Sequence, residues 1–208
     1  MRFFFSYFSF FCVILILNGC GGGPKVRNGD PGGMVFDRPG FTLTAPRGGT
    51  WAYQEVISKK GYDISFTQKR STTSSLVAAV VEANSSGSFA TSAEIVEFVQ
   101  VARKAKIDSV LHNLFVDEIS PCSNFGNICA RYHTIAEDFT NRDKSGMPLF
   151  FEIVGYHFIH PANPEKMVLL SFTETGRRKK TSDSFMKHVD RFLGSFSLKT
   201  EYIEPDEE

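Results

Sequence analysis

Two of the five histidines, His157 and His160, lie close enough in the sequence to suggest a shared site. A pair of imidazoles could bind a metal ion or act as general acid and base on a ligand. Side chains three residues apart on a strand point to opposite sides of a sheet, so the two could share a ligand only if the strand broke before Pro161. We therefore expect no metal site. A small hydrolase or ligand-binding protein that uses the His157/His160 region remains the alternative to a non-enzymatic function.

A dense run of positive charge follows at Arg177, Arg178, Lys179 and Lys180. Such a run could contact phospholipid head groups, lipopolysaccharide phosphates or an acidic partner. A solvated turn between a strand and a helix is the simpler interpretation. The chain has 23 basic and 23 acidic residues, and this balance argues against a protein that binds nucleic acid.

Sequence motifs of common hydrolase and cofactor sites are missing from the chain. No G-x-S-x-G elbow of a serine hydrolase occurs. The glycine run at residues 21–23 is followed neither by Lys-Ser/Thr nor by a helical pattern, so it does not match a phosphate-binding loop. We expect no cofactor and a protein that is not an enzyme.

The amino terminus has the features of an export signal. Arg2 is the only charged residue of the first nineteen, and an apolar stretch runs from Phe3 to Leu17. This stretch is shorter than the roughly 20 apolar residues of a helix that crosses a bilayer. Residues 1–19 are therefore predicted to be a cleaved signal peptide.

The end of that signal, Leu17-Asn18-Gly19-Cys20, resembles the lipobox of bacterial lipoproteins. The resemblance implies that the Cys20 thiol receives a diacylglyceryl group, that the signal is removed before it, and that acyl chains hold the protein on a membrane. Gly21 resembles the residue that follows the cysteine in lipoproteins sorted to the outer membrane, facing the periplasm. A plain secretory signal cut near Gly19 or Gly23 is the alternative.

Export would place Cys122 and Cys129 in an oxidising compartment, where disulfides form. The six residues between them include the turn formers Asn124, Gly126 and Asn127, which allow the two cysteines to approach each other. A zinc site or a redox site would favour C-x-x-C spacing, which the chain does not contain. We predict a structural disulfide.

Composition and periodicity divide the rest of the chain. Residues 20–40 are rich in Gly and Pro and are predicted to be a lipidated Cys and a flexible tether. Residues 41–199 are predicted to be one globular domain, and residues 200–208 an acidic tail. Alternating or continuous apolar patterns predict strands at 41–45, 51–57, 62–67, 76–81, 114–119, 128–139, 149–159 and 167–173.

Two helices are predicted within this domain. Thr91 and Glu94 match a capping box, followed by apolar residues at helical spacing to about Ala105. A second amphipathic helix begins near Asp183, capped by Thr181 or Ser182. The order of strands, helix, strands and helix favours an α+β fold with a largely antiparallel sheet. Strands 149–159 and 167–173 are apolar on both sides, so we expect the helices to pack on opposite faces of the sheet.

The segment Phe41-Thr-Leu-Thr-Ala-Pro46, followed by Trp51, is similar to the start of Mog1/PsbP-like domains. The final strand and the terminal amphipathic helix are similar as well. This resemblance implies a Mog1/PsbP-like sandwich and the non-enzymatic roles of that fold. The sequence thus predicts a membrane-anchored envelope lipoprotein that acts as an adaptor, assembly factor or accessory subunit, with an envelope protein as its partner.

Overall fold

The computed structural model describes residues 25–58, 61–105, 107, 109–126, 128–177 and 182–203, and most of its elements are strands. The predicted signal peptide, Cys20 and residues 178–180 lie outside the described residues. The helices and strands of the described part, in chain order, are β1 (Lys25–Gly29), β2 (Val35–Asp37), β3 (Phe41–Thr44), β4 (Ala52–Ser58), β5 (Gly61–Lys69), β6 (Ser75–Asn84), α1 (Ser92–Lys104), β7 (His112–Pro121), β8 (Cys129–Arg142), β9 (Pro148–His160), β10 (Asn163–Gly176), α2 (Asp183–Leu193) and β11 (Phe196–Leu198).

Eight strands form one large antiparallel sheet in the order β1-β4-β5-β6-β10-β9-β8-β7. Two meanders of consecutive hairpins, β4–β6 and β7–β10, meet where β6 pairs with β10, with Val80 opposite Leu170. Because α1 carries the chain from β6 in the centre to β7 at the edge, the second meander is built from the edge inward. A small sheet in the order β11-β3-β2 is separate from the large one.

The central strands are apolar on both sides because each side covers a different core. Along β10, Val168, Leu170 and Phe172 belong to a larger core, whereas Leu169 belongs to a smaller one. The larger core lies under the small sheet and α2, and its buried aromatic residues are Phe36, Phe41, Trp51, Phe66, Tyr156, Phe158, Phe172, Phe185, Phe192 and Phe196. The smaller core lies under α1 and consists of Ile95, Val99, Ala130, Tyr132, Ile153, Ile159 and Leu169.

Both helices begin where their caps predict. The Thr91 hydroxyl accepts a hydrogen bond from the Glu94 N–H at 3.3 Å, and the Glu94 carboxylate accepts one from the Ala90 N–H at 2.7 Å. Ser182, one of the two predicted caps of α2, accepts from the Phe185 N–H at 3.1 Å. These bonds satisfy backbone donors that a helix leaves unpaired at its first turn.

The predicted fold class, an α+β Mog1/PsbP-like sandwich whose covering layers are helices packed on opposite faces of the sheet, is wrong. The protein is mainly β: α1 has 13 residues and α2 has 11, and the layer over the larger core includes a second sheet. The sequence did not reveal this layer because β2 and β11 have three residues each, which is too short for a periodic pattern. Neither described helix is long and apolar enough to cross a membrane.

The composition predicts a flexible tether over residues 20–40, but the described part of this segment, residues 25–40, contains two strands of the folded domain. Residues Lys25–Gly29 pair with β4, and Phe36 of β2 is buried in the larger core. The Gly and Pro residues between these strands form a turn, in which Gly32 and Gly33 have positive φ and the Asp30 carboxylate accepts from the Gly32 N–H at 2.9 Å. The folded domain therefore includes residues before 41.

Candidate functional site

The structure does not bring His157 and His160 together. Strand β9 continues through His160, so the two side chains lie on opposite faces of the large sheet. His157 lies beside Tyr132 of the smaller core, with ring centroids 5.5 Å apart. His160 is fully buried on the other side, where its Nε2–H donates to the Gly40 carbonyl at 2.7 Å and its Nδ1 accepts from the Ala162 N–H at 3.1 Å. The shared His157/His160 site of the alternative hypothesis is therefore not formed.

The surroundings of His160 join the carboxyl-terminal segment to the sheet. The Tyr202 hydroxyl donates to the buried Glu82 carboxylate at 2.7 Å, and its ring packs edge-on against His160. A Cβ at Gly40 would lie 2.8 Å from Glu82 Oε2 and 2.9 Å from His160 Nε2, so only glycine fits between them. Tyr202, within the segment predicted to be an acidic tail, is thus packed, and His160 has a structural role.

Cys122 and Cys129 are placed for the predicted disulfide. Their sulfurs lie within bonding distance, and their Cα atoms are 5.0 Å apart. The loop that they close carries Phe125, whose ring stacks on Phe158 at 4.7 Å and meets Tyr156 edge-on. The loop therefore covers part of the larger core. Among the described residues, no group of three or more His, Cys, Asp and Glu side chains is placed to hold a metal ion.

Only Arg177 of the predicted basic run is described; Arg178, Lys179 and Lys180 lie outside the described residues. Arg177 pairs with Asp143 Oδ2 at 2.8 Å. The pKa of Asp143 is lowered mainly by the hydrogen bond from the Ser145 hydroxyl, with further contributions from backbone N–H groups and Arg177. This pairing connects the start of the basic run to the β8–β9 hairpin.

A recess of about 140 Å³ lies between α2 and the turn that joins β3 to β4. We call it the α2 recess. Its lining residues come from four separate parts of the chain and are Thr44, Ala45, Pro46, Arg47, Trp51, Phe172, His188, Arg191, Phe192 and Ser195. The rings of Trp51, Phe172 and Phe192 form an apolar part of the lining, which we call the floor, and Arg47, His188 and Arg191 are its nitrogen-bearing side chains. The arrangement suits a ligand with one apolar part and one anionic part.

The turn that carries Arg47 is held by buried side chains. The Gly48 carbonyl accepts from Trp51 Nε1 at 3.1 Å and from Gln68 Nε2 at 3.0 Å. Gly49 has φ +86°, and a Cβ at this position would lie 1.8 Å from Gln68 Nε2. The turn requires glycine at position 49, and the Gly48 carbonyl accepts hydrogen bonds from both Trp51 and Gln68. The backbone of Arg47 is therefore fixed beside the recess.

His188 is held by a chain of polar contacts on the other side of the recess. Arg70 donates to His188 Nε2 at 2.8 Å and forms an ion pair with Glu174 at 3.0 Å. The His188 ring lies parallel to that of Phe172, with centroids 6.2 Å apart. Burial lowers the pKa of His188, and the charges of Arg70 and Arg191 lower it further. The neutral ring, with Nε2 accepting, carries its proton on Nδ1.

A second surface lies at the edge of the large sheet, where β7 pairs with β8 and no described strand pairs with its other side. Four apolar side chains are exposed at and just before the start of β7, namely Val110, Leu111, Leu114 and Phe115. We call them the β7 patch. A register irregularity between Leu114 and Val116 marks a β-bulge in this edge.

Sequence reasoning missed both surfaces. His188 and Arg191 have no neighbour in the sequence that marks either of them as part of a site. The available signal was the Arg47-Gly48-Gly49 turn next to the only tryptophan of the chain, Trp51. A scan against protein-family models matched no family, and a search of the curated proteins returned no match.

Proposed function

We propose that this chain is a lipid-anchored protein of the bacterial envelope that binds another envelope protein and is not an enzyme. The lipobox at Leu17–Cys20 supports the anchor, and the exposed edge strand β7 with its apolar patch is the observation that carries the binding role. An anchored chain shares a surface with its partner, so even a modest binding site becomes effective.

The edge of β7 suits an extended protein segment. Backbone N–H and C=O groups along the free side of a ten-residue strand can pair with another strand, and the patch adds apolar side-chain contacts. The bulge near Leu114 and Pro121 at the end of the strand limit uncontrolled pairing between edges. The edge therefore favours one short partner segment over open-ended association.

Charge defines the partner segment further. The strand β7 carries Asp117 and Glu118 but no Lys or Arg. Asp117 already pairs with Arg103 at 2.8 Å, whereas Glu118 is exposed. We infer that the partner contributes an extended segment with apolar residues facing the β7 patch and a basic residue facing Glu118.

In-cell photo-crosslinking tests the binding role. A photoreactive residue at Val110 should give one reproducible adduct with an envelope protein, whereas the same residue at Val101, an exposed position on α1, should not. Leu114→Asp should reduce the Val110 adduct at least about tenfold, because it places a charge within the apolar contact. Glu118→Lys should reduce it less. An adduct that persists in Leu114→Asp, or that forms equally from Val101, would overturn the proposal.

Metabolic labelling with a palmitate analogue tests the anchor. The wild-type chain should take up label and remain with the membrane fraction, and Cys20→Ser should lose both properties. Cys12→Ser is the matched control, since it removes a thiol from the predicted signal peptide and should leave labelling unchanged. Label that survives Cys20→Ser would rule out this attachment site.

A further inference from the structure

We propose that the α2 recess binds a small carboxylate that carries an aromatic or short aliphatic group. This ligand site is separate from the β7 patch and does not depend on the partner-binding role. The class of ligand follows from three features of the recess: its size and apolar lining, the cationic side chains that line it, and the hydrogen bonds that fix the turn carrying Arg47 and hold His188.

The size and the floor of the recess select the apolar part of the ligand. A volume of about 140 Å³ is comparable to that of an engineered apolar cavity that accommodates benzene. The rings of Trp51, Phe172 and Phe192 provide faces and edges against which an aromatic or aliphatic group can pack. Trp51 and Phe192 are themselves buried, so the floor is continuous with the larger core.

The rim selects the charge of the ligand. Among the described residues, neither Arg47 nor Arg191 takes part in an ion pair, although both line the recess. Arg70 differs, because its guanidinium already contacts Glu174 and His188. A carboxylate accepts two parallel hydrogen bonds from a guanidinium, so the two unpaired arginines can hold one anionic head group.

The two sides of the rim are connected by hydrogen bonds. Gln68 donates to the Gly48 carbonyl in the turn that carries Arg47, and its own carbonyl accepts from Arg70 at 3.5 Å. Arg70 in turn contacts His188 on α2. The neutral His188 adds a hydrogen-bond donor without adding charge. Because these contacts exist before any ligand binds, the turn and the His188 ring require little ordering on binding.

A fluorescence titration of the full chain in detergent tests the site. Trp51 is the only tryptophan of the chain and lies in the recess floor, so its emission reports directly on occupancy. Benzoate should change this emission saturably. Benzyl alcohol has no charge and inorganic phosphate has no apolar part, and each should bind at least about tenfold more weakly than benzoate. Isothermal titration calorimetry provides a second readout that does not depend on Trp51.

Charge-removing variants locate the head group. Arg191→Gln and Arg47→Gln should each weaken benzoate binding about tenfold, and Arg191→Lys should fall in between because it keeps the charge but not the fork of donors. Lys187→Gln on the exposed side of α2 is the control and should bind like the wild type. Since all three residues are exposed, the variants should keep the wild-type melting temperature.

Three results would overturn the proposal. One is an absence of both fluorescence change and heat on addition of benzoate. Another is equal binding of benzoate and inorganic phosphate, which would mean that charge alone attracts the anion. The third is equal affinity in Arg191→Gln and Lys187→Gln. None of these results bears on the crosslinking at the β7 patch, so the two proposals fail separately.

Discussion

The two helices are attached to the large sheet by different chemistry. The buried residues of α2, Phe185, Val189 and Phe192, are all apolar. Those of α1 include Ile95 and Val99 but also Arg103, whose side chain is only 4% exposed. One helix is therefore held by apolar burial, and the other by apolar burial together with a guanidinium.

The contacts of Arg103 explain how a charge is accommodated there. Its guanidinium donates to Asp117 Oδ1 at 2.8 Å and to the Thr134 hydroxyl, and it lies 4.5 Å from the ring centroid of Tyr132. Burial raises the pKa of the Tyr132 phenol, so this hydroxyl stays neutral at the pH of any natural compartment. Every charge at this site is matched by a nearby polar group or aromatic ring.

The difference reflects the sizes of the two cores. The larger core under α2 contains 21 buried apolar residues, whereas the smaller core under α1 contains seven. Where less apolar area is available, a directional contact fixes the position of the helix, at the cost of desolvating a charge. This explanation predicts that substitutions in the two helices lower the free energy of unfolding by different amounts and for different physical reasons.

The largest effect is expected for Phe185→Ala in α2. Phe185 is fully buried and packs against Phe172, with ring centroids 5.8 Å apart. Removing the ring should lower the free energy of unfolding by about 3–5 kcal/mol. Urea denaturation measures the change. Val101→Ala, at an exposed position of α1, should change it by less than about 0.5 kcal/mol, and equal losses in the two variants would contradict the assignment of the α2 stripe.

A smaller loss, about 2–3 kcal/mol, is expected for Arg103→Met. The methionine keeps some of the packing but removes the guanidinium that donates to both Asp117 and the Thr134 hydroxyl, while Asp117 still accepts from the Thr134 hydroxyl at 2.8 Å. Asp117 is 30% exposed, so water can replace part of the lost contact and limit the loss. A double-mutant cycle with Asp117→Asn should give a coupling of at least about 0.5 kcal/mol. Strict additivity would show that the guanidinium does not anchor α1 through Asp117.

Gly155→Ala tests the packing of the Tyr132 ring beside Arg103 and should lower the free energy of unfolding by about 1–3 kcal/mol. A Cβ at Gly155 would lie 2.2 Å from the Tyr132 hydroxyl oxygen and 2.5 Å from its Cε1, and the rigid ring is held by Arg103. In a Tyr132→Leu background the same substitution should cost less than half as much. Equal costs in both backgrounds, measured by urea denaturation, would show that the ring is not the obstacle.

The smallest effect is expected from the titration of His188. Its pKa is lowered in the folded protein, so the unfolded chain takes up a proton first as the pH falls through about 6.5. The contribution of neutral His188 to stability is therefore present above that pH and is lost as the pH falls further. Arg70 and Arg191 face the ring, and Glu174 forms an ion pair with Arg70 at 3.0 Å.

The variant His188→Gln isolates this contribution from those of other titrating groups. Between pH 8 and pH 5, the wild type should lose more thermal stability than His188→Gln does. Parallel curves for the two proteins would indicate that His188 has the same pKa in the folded and unfolded chains. The expected difference is modest because the ring is partly exposed.

The longer elements were predictable because each repeats its pattern over many residues. The strand expected at 149–159 is observed as Pro148–His160, and the helix expected from Ser92 ends at Lys104. The short strands were not predictable. Three-residue β2 has no measurable period, and Gly32 and Gly33 just before it are typical of a loop, so its strand conformation follows from pairing with β3.

The candidate sites show the same contrast between features that a local sequence pattern predicts and features that it does not. The rule of alternation correctly separated His157 from His160, since it requires only that both lie on one continuous strand. The α2 recess could not be predicted, because Arg47, Phe172 and His188 are distant in sequence and meet only when the small sheet and α2 close over the larger core.

The amino-acid sequence by itself determined the periodic elements, the helix caps, the lipobox-like motif and the proximity of the two cysteines, all of which depend on residues near one another in the chain. Tertiary structure decided that residues 25–37 contribute strands, that β7 lies at an edge, and that a buried arginine anchors α1. The physical reason is that these features depend on partners from remote parts of the chain, whose pairing and burial override local preference.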